Sequence, residues 1–319
     1  MHAYAHAHTY PQVRAWLHWF KRSQRAPALH SFKWSGRKRT EGIWHTLSSG
    51  LDDYPRANWT SDVADRHVDL YSWIYMMHRV VDKVHAALRQ EAPPEVGKAM
   101  RALQSHVAAI HWSNASQAFA DRGYLDLGPR SRGSYRVDFV PHYGYVSLFP
   151  LLLGVLPPGF PSSQLQALVE MMRSEKLLMS KAGVLMCMHV RRVLGATGRV
   201  SHDVHAHTPG LRSLSMTAPG GGRDAVYGTQ EDYWRGKVWV NVNYLALAAL
   251  YQHPDKEANA LMGTTYSTLR ANLVETITAG YVRKGFLFEQ YDDKTRQGLK
   301  HKPFAGWTAL VLLIMAELY

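Results

Sequence analysis

Two acidic motifs and one aromatic stretch hold the residues best suited to chemistry. The first motif is Gly50-Leu51-Asp52-Asp53-Tyr54-Pro55-Arg56-Ala57, in which glycine and proline fix a tight backbone path and adjacent carboxylates stand beside a guanidinium. Such carboxylates could exchange protons with a substrate, although an Asx-type turn with a surface ion pair is the commoner fate of Asp-Asp in a loop. The second motif, Phe286-Leu287-Phe288-Glu289-Gln290-Tyr291-Asp292-Asp293, sets Glu289 among aromatic rings. An acidic residue in apolar surroundings is a candidate acid or base, and an ion pair with an arginine is the competing explanation. Between the two runs Tyr233-Trp234-Arg235-Gly236-Lys237-Val238-Trp239-Val240-Asn241-Val242-Asn243-Tyr244. Its rings could stack on a pyranose and its polar groups could bond sugar hydroxyls; equally, it could pack its aromatics ahead of a buried helix.

These motifs need a scaffold, and the apolar spacing is helical almost throughout. Leu70, Ile74, Met77, Val81, Val84 and Leu88 form one stripe on a helix that runs to about Arg89, where Pro93-Pro94 stops it. Further helices are expected over Pro94 to Asp121, from a capping box at Ser163 and Gln166, over Val240 to His253, over Asp255 to Ala279, and over Trp307 to Leu318. In the last, Trp307, Leu310, Val311, Ile314, Met315 and Leu318 share a face only if helical. The stretches between them, 34–59, 123–144, 209–236 and 284–307, read as long loops that would carry function on a helical frame. Paired helices joined this way suggest an all-α toroid, an (α/α)6 barrel, of which about seven of twelve helices are expected in this chain.

Residues 183–209 break the pattern. They are dotted with His and Arg, lack a sustained helical face and hold the single cysteine, Cys187. A metal reading through His202, His205 and His207 finds no i, i+4 pair and no neighbouring carboxylate pattern, so an inserted loop is the better reading and no metal site is expected.

Composition bounds the answer further. The chain has 319 residues, 46% of them apolar, enough for a sizeable core. Its net charge is +12, and residues 1–40 hold eight Lys and Arg with no acidic residue. That basic lead reads as solvated surface: no zinc-finger, RNP-type or helix-turn-helix signature accompanies it, and no nucleic-acid partner is expected. One cysteine excludes an internal disulfide. The first residues resemble no secretory signal and no apolar run is long enough for a bilayer, so a route into the secretory pathway would have to lie upstream. Asn58-Trp59-Thr60 and Asn114-Ala115-Ser116 are glycosylation sequons.

Taken together, SGLDDYPRA (49–57), RHVDL (66–70), GYVSLFPLLL (144–153), GLRSLS (210–215), YWRG with WVNVNYLAL (233–247), GFLFEQYDD (285–293) and PFAGWTALVLLIMAE (303–317) make the chain resemble the C-terminal catalytic region of glycoside hydrolase family 63. The blocks occur in the family's order across nearly all of 1–319. The resemblance implies an (α/α)6 barrel, incomplete here on its N-terminal side, with exposed apolar faces where helices are lacking and 183–209 as an insertion. It implies inverting removal of a terminal α-1,2-linked glucose from the triglucosylated N-glycan precursor in the endoplasmic reticulum. Asp52 becomes the general acid and Glu289 the general base. Asp53 and Arg56 become supporting or sugar-contacting groups, and Tyr233, Trp234 and Arg235 line the glucose subsite. An oligosaccharide is then the partner, no cofactor or metal is needed, and any membrane association would come through an N-terminal anchor that this chain lacks. A non-catalytic carbohydrate-binding or inactive fragment, or a related inverting glycosidase acting on trehalose or mannosylglycerate, are the alternatives.

Overall fold

The computed structural model describes residues 2–40, 43–57, 64–126, 135–180, 210–218, 222–229, 231–254 and 260–319. The inserted-loop and metal readings of 183–209 and the sequon at 58–60 lie outside them. Eight α-helices are found among the described residues: α1 His2–Ser23, α2 Val68–Ala87, α3 Pro94–His111, α4 Tyr145–Leu152, α5 Ser162–Arg173, α6 Val240–Gln252, α7 Ala260–Lys284 and α8 Val311–Ala316. Eight short strands form four antiparallel pairs: β1 Lys38–Thr40 with β2 Ile43–His45, β3 Trp112–Ser113 with β4 Ala118–Phe119, β5 Arg122–Asp126 with β6 Tyr135–Phe139, and β7 Gln290–Tyr291 with β8 Gly298–Leu299.

The helices bury the faces their spacing defines. On α2, Leu70, Ile74 and Val81 are buried, and the helix packs against α1, α3 and α4. Pro94 opens α3 at a position where the missing N–H costs nothing. On the other side α6 packs against α4, α7 and α8, and α7 against α5 and α8. These contacts join the buried residues into one apolar cluster.

Several boundaries differ from expectation. The basic segment read as solvated surface is in large part a helix, α1, whose Leu17 is buried and whose Val13 and Phe20 pack on the core. That i, i+4, i+7 stripe is narrow, and the His, Arg and Lys around it mask it in composition. Helix α3 stops at His111 rather than Asp121. Trp112 and Phe119 pair edge to face at 5.0 Å across the β3–β4 hairpin, which turns at 114–117 and exposes Asn114 of the second sequon. The stretch 123–144, expected as loop, contains most of the β5–β6 hairpin.

Helix α5 starts at Ser162 with no side-chain cap. Ser163 is thus inside the first turn, and Gln166 bonds Glu170 at 2.7 Å instead of closing a capping box. Helix α7 continues through the buried Gly280 to Lys284 rather than ending at Ala279. Trp307–Leu310 form a 3-10 turn before α8, and that segment's apolar face is only partly covered. Val311 and Ile314 are buried while Met315 is 48% and Leu318 60% exposed. Trp16 and Trp19 are likewise exposed on α1.

At the helix ends, four segments lie side by side as a belt of extended backbone. Tyr145 N–H donates to Ser213 O at 3.1 Å, Ser215 N–H to Tyr143 O at 2.8 Å, and Ser213 N–H to Lys237 O at 2.9 Å. Val238 and Tyr291 exchange two bonds of 2.9 and 3.0 Å. Asn243 on α6 locks the belt from beneath: its Oδ1 accepts from Leu211 N–H, and its Nδ2 lies within bonding distance of the Tyr145 hydroxyl and the carbonyls of Leu211 and Trp239. All its polar capacity is used inside the protein, so this asparagine holds the loops together and is not free for a sugar.

Candidate active site

Glu289 immediately precedes β7, so the belt fixes its backbone. Its N–H donates to His301 O at 3.1 Å and its carbonyl accepts from Trp307 Nε1 at 2.7 Å. The residue is 4% exposed and its carboxylate is held at both oxygens. Oε1 accepts a short hydrogen bond from the Tyr233 hydroxyl, and Oε2 accepts from His301 N–H at 3.2 Å. The His301 ring stands 3.9 Å from Oε2 and is largely exposed. Two donors thus fix the orientation of this carboxyl group.

Asp52 arrives from the opposite side of the sequence. Gly50 adopts φ +69°, a conformation glycine enters without steric penalty, and this turns the chain so that Thr46 N–H bonds Asp52 O at 2.8 Å. The Asp52 side chain is half-buried. Burial raises its pKa, the negative charges of Asp53 and Glu231 add to the rise, and His45 opposes it. A carboxyl so placed keeps its proton to higher pH than an exposed aspartate.

Asp53 fastens the two loops together. Its carboxylate accepts from Tyr233 N–H at 3.2 Å and from Trp234 N–H at 2.7 Å, and Arg235 Nε donates to its carbonyl at 2.8 Å. Arg235 also reaches Thr229 Oγ1 at 3.1 Å. Gly236 follows with φ +147°, where a side chain would strike the Tyr227 ring at 2.7 Å, so this corner admits only glycine. The result is that Tyr233 leans over Glu289. Its phenol is pushed well above the usual tyrosine range by burial and by the hydrogen bond to Glu289, and the charges of Asp52 and Asp53 act in the same direction. One hydroxyl therefore lies within the electrostatic reach of both acidic motifs.

Trp234 is not splayed open. Its ring stacks on Trp239 at 3.8 Å with an interplanar angle of 6°, Tyr233 meets Trp239 edge-on at 4.7 Å, and Trp307 flanks the stack. The indole Nε1–H of Trp234 has no acceptor among the described residues. Of the two readings of 233–244, the packing one describes Trp234, Trp239 and Asn243, which build the core, while Tyr233 turns to the Glu289 carboxylate.

Arg56 is not brought to this site's surface. It is fully buried between two carboxylates, with Nη2 2.6 Å from Asp69 Oδ2 and Nη1 2.6 Å from Asp121 Oδ2. Asp121 also accepts from Val68 N–H, the first residue of α2, at 2.8 Å. Arg56 therefore anchors the acidic loop to α2 and to the β4–β5 connection through both Nη atoms, while its Nε has no acceptor among the described residues. Lys237 plays a parallel part on the other side, 2.6 Å from Asp232 and 3.0 Å from Asp292, while Asp293 takes Arg212 Nε at 3.2 Å and the Tyr227 hydroxyl. Sequence reasoning singled out neither His301 nor Lys237 as a contributor. Trp307 was placed on a helix face, yet its indole bonds the Glu289 carbonyl. Its place in the PFAGWTALVLLIMAE block was the one signal visible in advance.

A helical frame with acidic and aromatic side chains gathered at its loop end is compatible with an α/α-toroid glycoside hydrolase. The chain belongs to glycosyl hydrolase family 63: residues 1–206 and 199–317 match that family's C-terminal domain. It is 32% identical over 97% of its length to a probable mannosyl-oligosaccharide glucosidase of Schizosaccharomyces pombe. It is 29% identical over 97% of its length to a mannosyl-oligosaccharide glucosidase of Arabidopsis thaliana. It covers 34% and 36% of those two proteins, so it spans about a third of the length of the curated relatives it matches. Among solved structures, a family 63 mannosylglycerate hydrolase from Thermus thermophilus in complex with Tris shares the fold. The TM-score is 0.59 at 15% identity, over 98% of this chain and 71% of that one. Among the described residues no helix is long and apolar enough to cross a membrane, and no three His, Cys, Asp or Glu side chains converge as metal ligands would.

Proposed function

We infer that this chain carries the catalytic site of an inverting α-glucosidase that removes the terminal α-1,2-linked glucose from the triglucosylated N-glycan precursor. Asp52 is the general acid and Glu289 the general base. The observation that carries the reading is the Tyr233 hydroxyl. It bonds Glu289 and feels the charge of Asp52, so one side chain links the two distant acidic motifs. The likeness to mannosyl-oligosaccharide glucosidases supports the substrate class, and an early secretory location goes with that substrate.

The chemistry follows from those environments. Asp52, whose carboxyl is pushed up by burial and by neighbouring negative charge, gives its proton to the glycosidic oxygen as the bond to the anomeric carbon breaks. Glu289 takes a proton from a water that attacks that carbon from the opposite face, so the sugar leaves with inverted configuration. Inversion needs room for that water, with the two carboxyl groups roughly 6.5 to 9.5 Å apart. Tyr233 holds the base in position, Asp53 and Arg235 hold the loop that carries Tyr233, and Trp234, stacked on Trp239, backs that loop from the core.

The test is hydrolysis of an α-1,2-linked glucose disaccharide by the full chain, alongside trehalose and mannosylglycerate, with Asp52→Asn and Glu289→Gln variants. Release of glucose in the β-configuration, abolished in both variants, is expected. Glycan binding without turnover in the unsubstituted chain would assign a carbohydrate-binding role instead.

A further inference from the structure

The sequon Asn114-Ala115-Ser116 takes no part in the site described above. It occupies the turn 114–117 that joins β3 to β4, directly after α3 ends. The strands on either side are buried, whereas Asn114, Ala115 and Gln117 are exposed. Gln117 Nε2 donates to the Asn114 carbonyl at 2.8 Å, and Ser116 N–H donates to Ser113 Oγ at 3.3 Å. These bonds fix the turn through its backbone and leave the Asn114 side-chain amide without a partner among the described residues. Ser116 is placed differently. It is half-buried, and its hydroxyl lies 3.3 Å from Ser113 Oγ and accepts a bond from the Tyr143 hydroxyl, two residues ahead of α4.

We propose that Asn114 is a site of N-linked glycosylation, receiving an oligosaccharide from a lipid-linked pyrophosphate donor in the lumen of the secretory pathway. In that transfer Asn114 Nδ2 forms a bond to the anomeric carbon of the first sugar, and the bond from that carbon to the pyrophosphate oxygen breaks. The amide gives up one proton and the lipid pyrophosphate leaves. An acceptor tripeptide needs a residue other than proline in the middle and a hydroxyl in third place, which Ala115 and Ser116 supply. In the folded chain the Ser116 hydroxyl is engaged by Tyr143, so the transfer precedes closure of the hairpin against that residue. Once the hairpin has closed, the glycan stands in solvent on an exposed turn. The Trp112–Phe119 contact beneath it is undisturbed, because the asparagine side chain contributes nothing to that packing.

The inference rests on the secretory location that goes with the proposed substrate, and the experiment separates the two. The protein is isolated from its own cells, and the full chain is also sent into the secretory pathway of a eukaryotic host behind a cleavable leader. Both are denatured and treated with peptide-N-glycosidase in heavy-oxygen water, which turns a glycosylated asparagine into labelled aspartate. Label at residue 114 is expected in both, read in the tryptic peptide 102–122, which is separate from the sequon at 58–60. Asn114→Gln and Ser116→Ala should each lose that label together with the mass of one glycan, and Ser116→Thr should keep both. Occupancy is read on denatured peptides, so a variant that folds poorly still reports. An unlabelled residue 114 in the leader-directed chain, while other glycoproteins of the same cells are labelled, overturns the site and leaves the α-glucosidase reading standing. Label that survives Ser116→Ala overturns the sequon as its cause. Label in the leader-directed chain but not in protein from its own cells overturns the secretory location and the modification in the cell together. Label without glucose release from an α-1,2-linked disaccharide by the same preparations overturns the enzymatic reading and leaves the site.

Discussion

The hydroxyl of Tyr233 donates a hydrogen bond to Oε1 of Glu289, joining residues 56 positions apart. This bond ties the aromatic loop directly to the candidate base and fixes which way the carboxylate faces.

Tyr233→Phe should therefore impair turnover with little effect on the fold, since the ring's edge contact with Trp239 is kept. A hydrogen bond to a charged group contributes about 1.5 to 3 kcal/mol, which corresponds to a fall in kcat of roughly 10- to 150-fold. Steady-state kinetics checks this, with thermal unfolding expected to stay near that of the unsubstituted chain. An unchanged kcat would remove Tyr233 from the machinery.

Arg56→Ala should unfold the chain or nearly so. It strands the buried carboxylates of Asp69 and Asp121, and breaking a buried pair by removing one partner costs about 3 to 5 kcal/mol. Arg56→Met combined with Asp69→Asn and Asp121→Asn should recover much of that loss, because no buried charge is then left unpaired. Urea unfolding of the two variants gives the comparison.

Asp292 supplies a pH-dependent clamp. Burial works to raise its carboxyl, but the Thr295 amide, the Lys237 ammonium and the Lys294 amide overcome this and hold it at about 2, against an ordinary 3.8. Since the folded value lies below the unfolded one, the stabilisation is present above about 4 and is lost as pH falls through about 2. Asp292→Asn should melt below the unsubstituted chain near neutral pH, and the gap should close as the solution is taken down through that window. Melting temperatures followed by circular dichroism against pH will show whether the gap narrows.

Much of the frame could be read from spacing. The stripe on α2, the start of α3 at Pro94 and the extent of α6 follow from apolar periodicity and proline placement, which are local properties. Helix α1 escaped because its stripe of Val13, Leu17 and Phe20 lies in a segment rich in basic residues, and net charge dominates the impression of such a segment. The end of α3 escaped because the hairpin that follows it depends on Trp112 meeting Phe119 and Phe160, contacts that no local spacing encodes.

By itself the sequence determined the helical character, the loop ends as the place for chemistry, and the family, because ordered blocks are a linear property. Only the tertiary structure decided what each polar residue in those blocks does. Asp52 and Asp53 are neighbours in sequence, yet one faces the rim and the other is spent on the amides of Tyr233 and Trp234. Arg56 is three positions further on and lies wholly inside the protein with two carboxylates. The physical reason is that hydrogen-bond and ion-pair partners are set by distance in space. Here those partners come from residues as far apart as 53 and 234, a pairing no local pattern encodes.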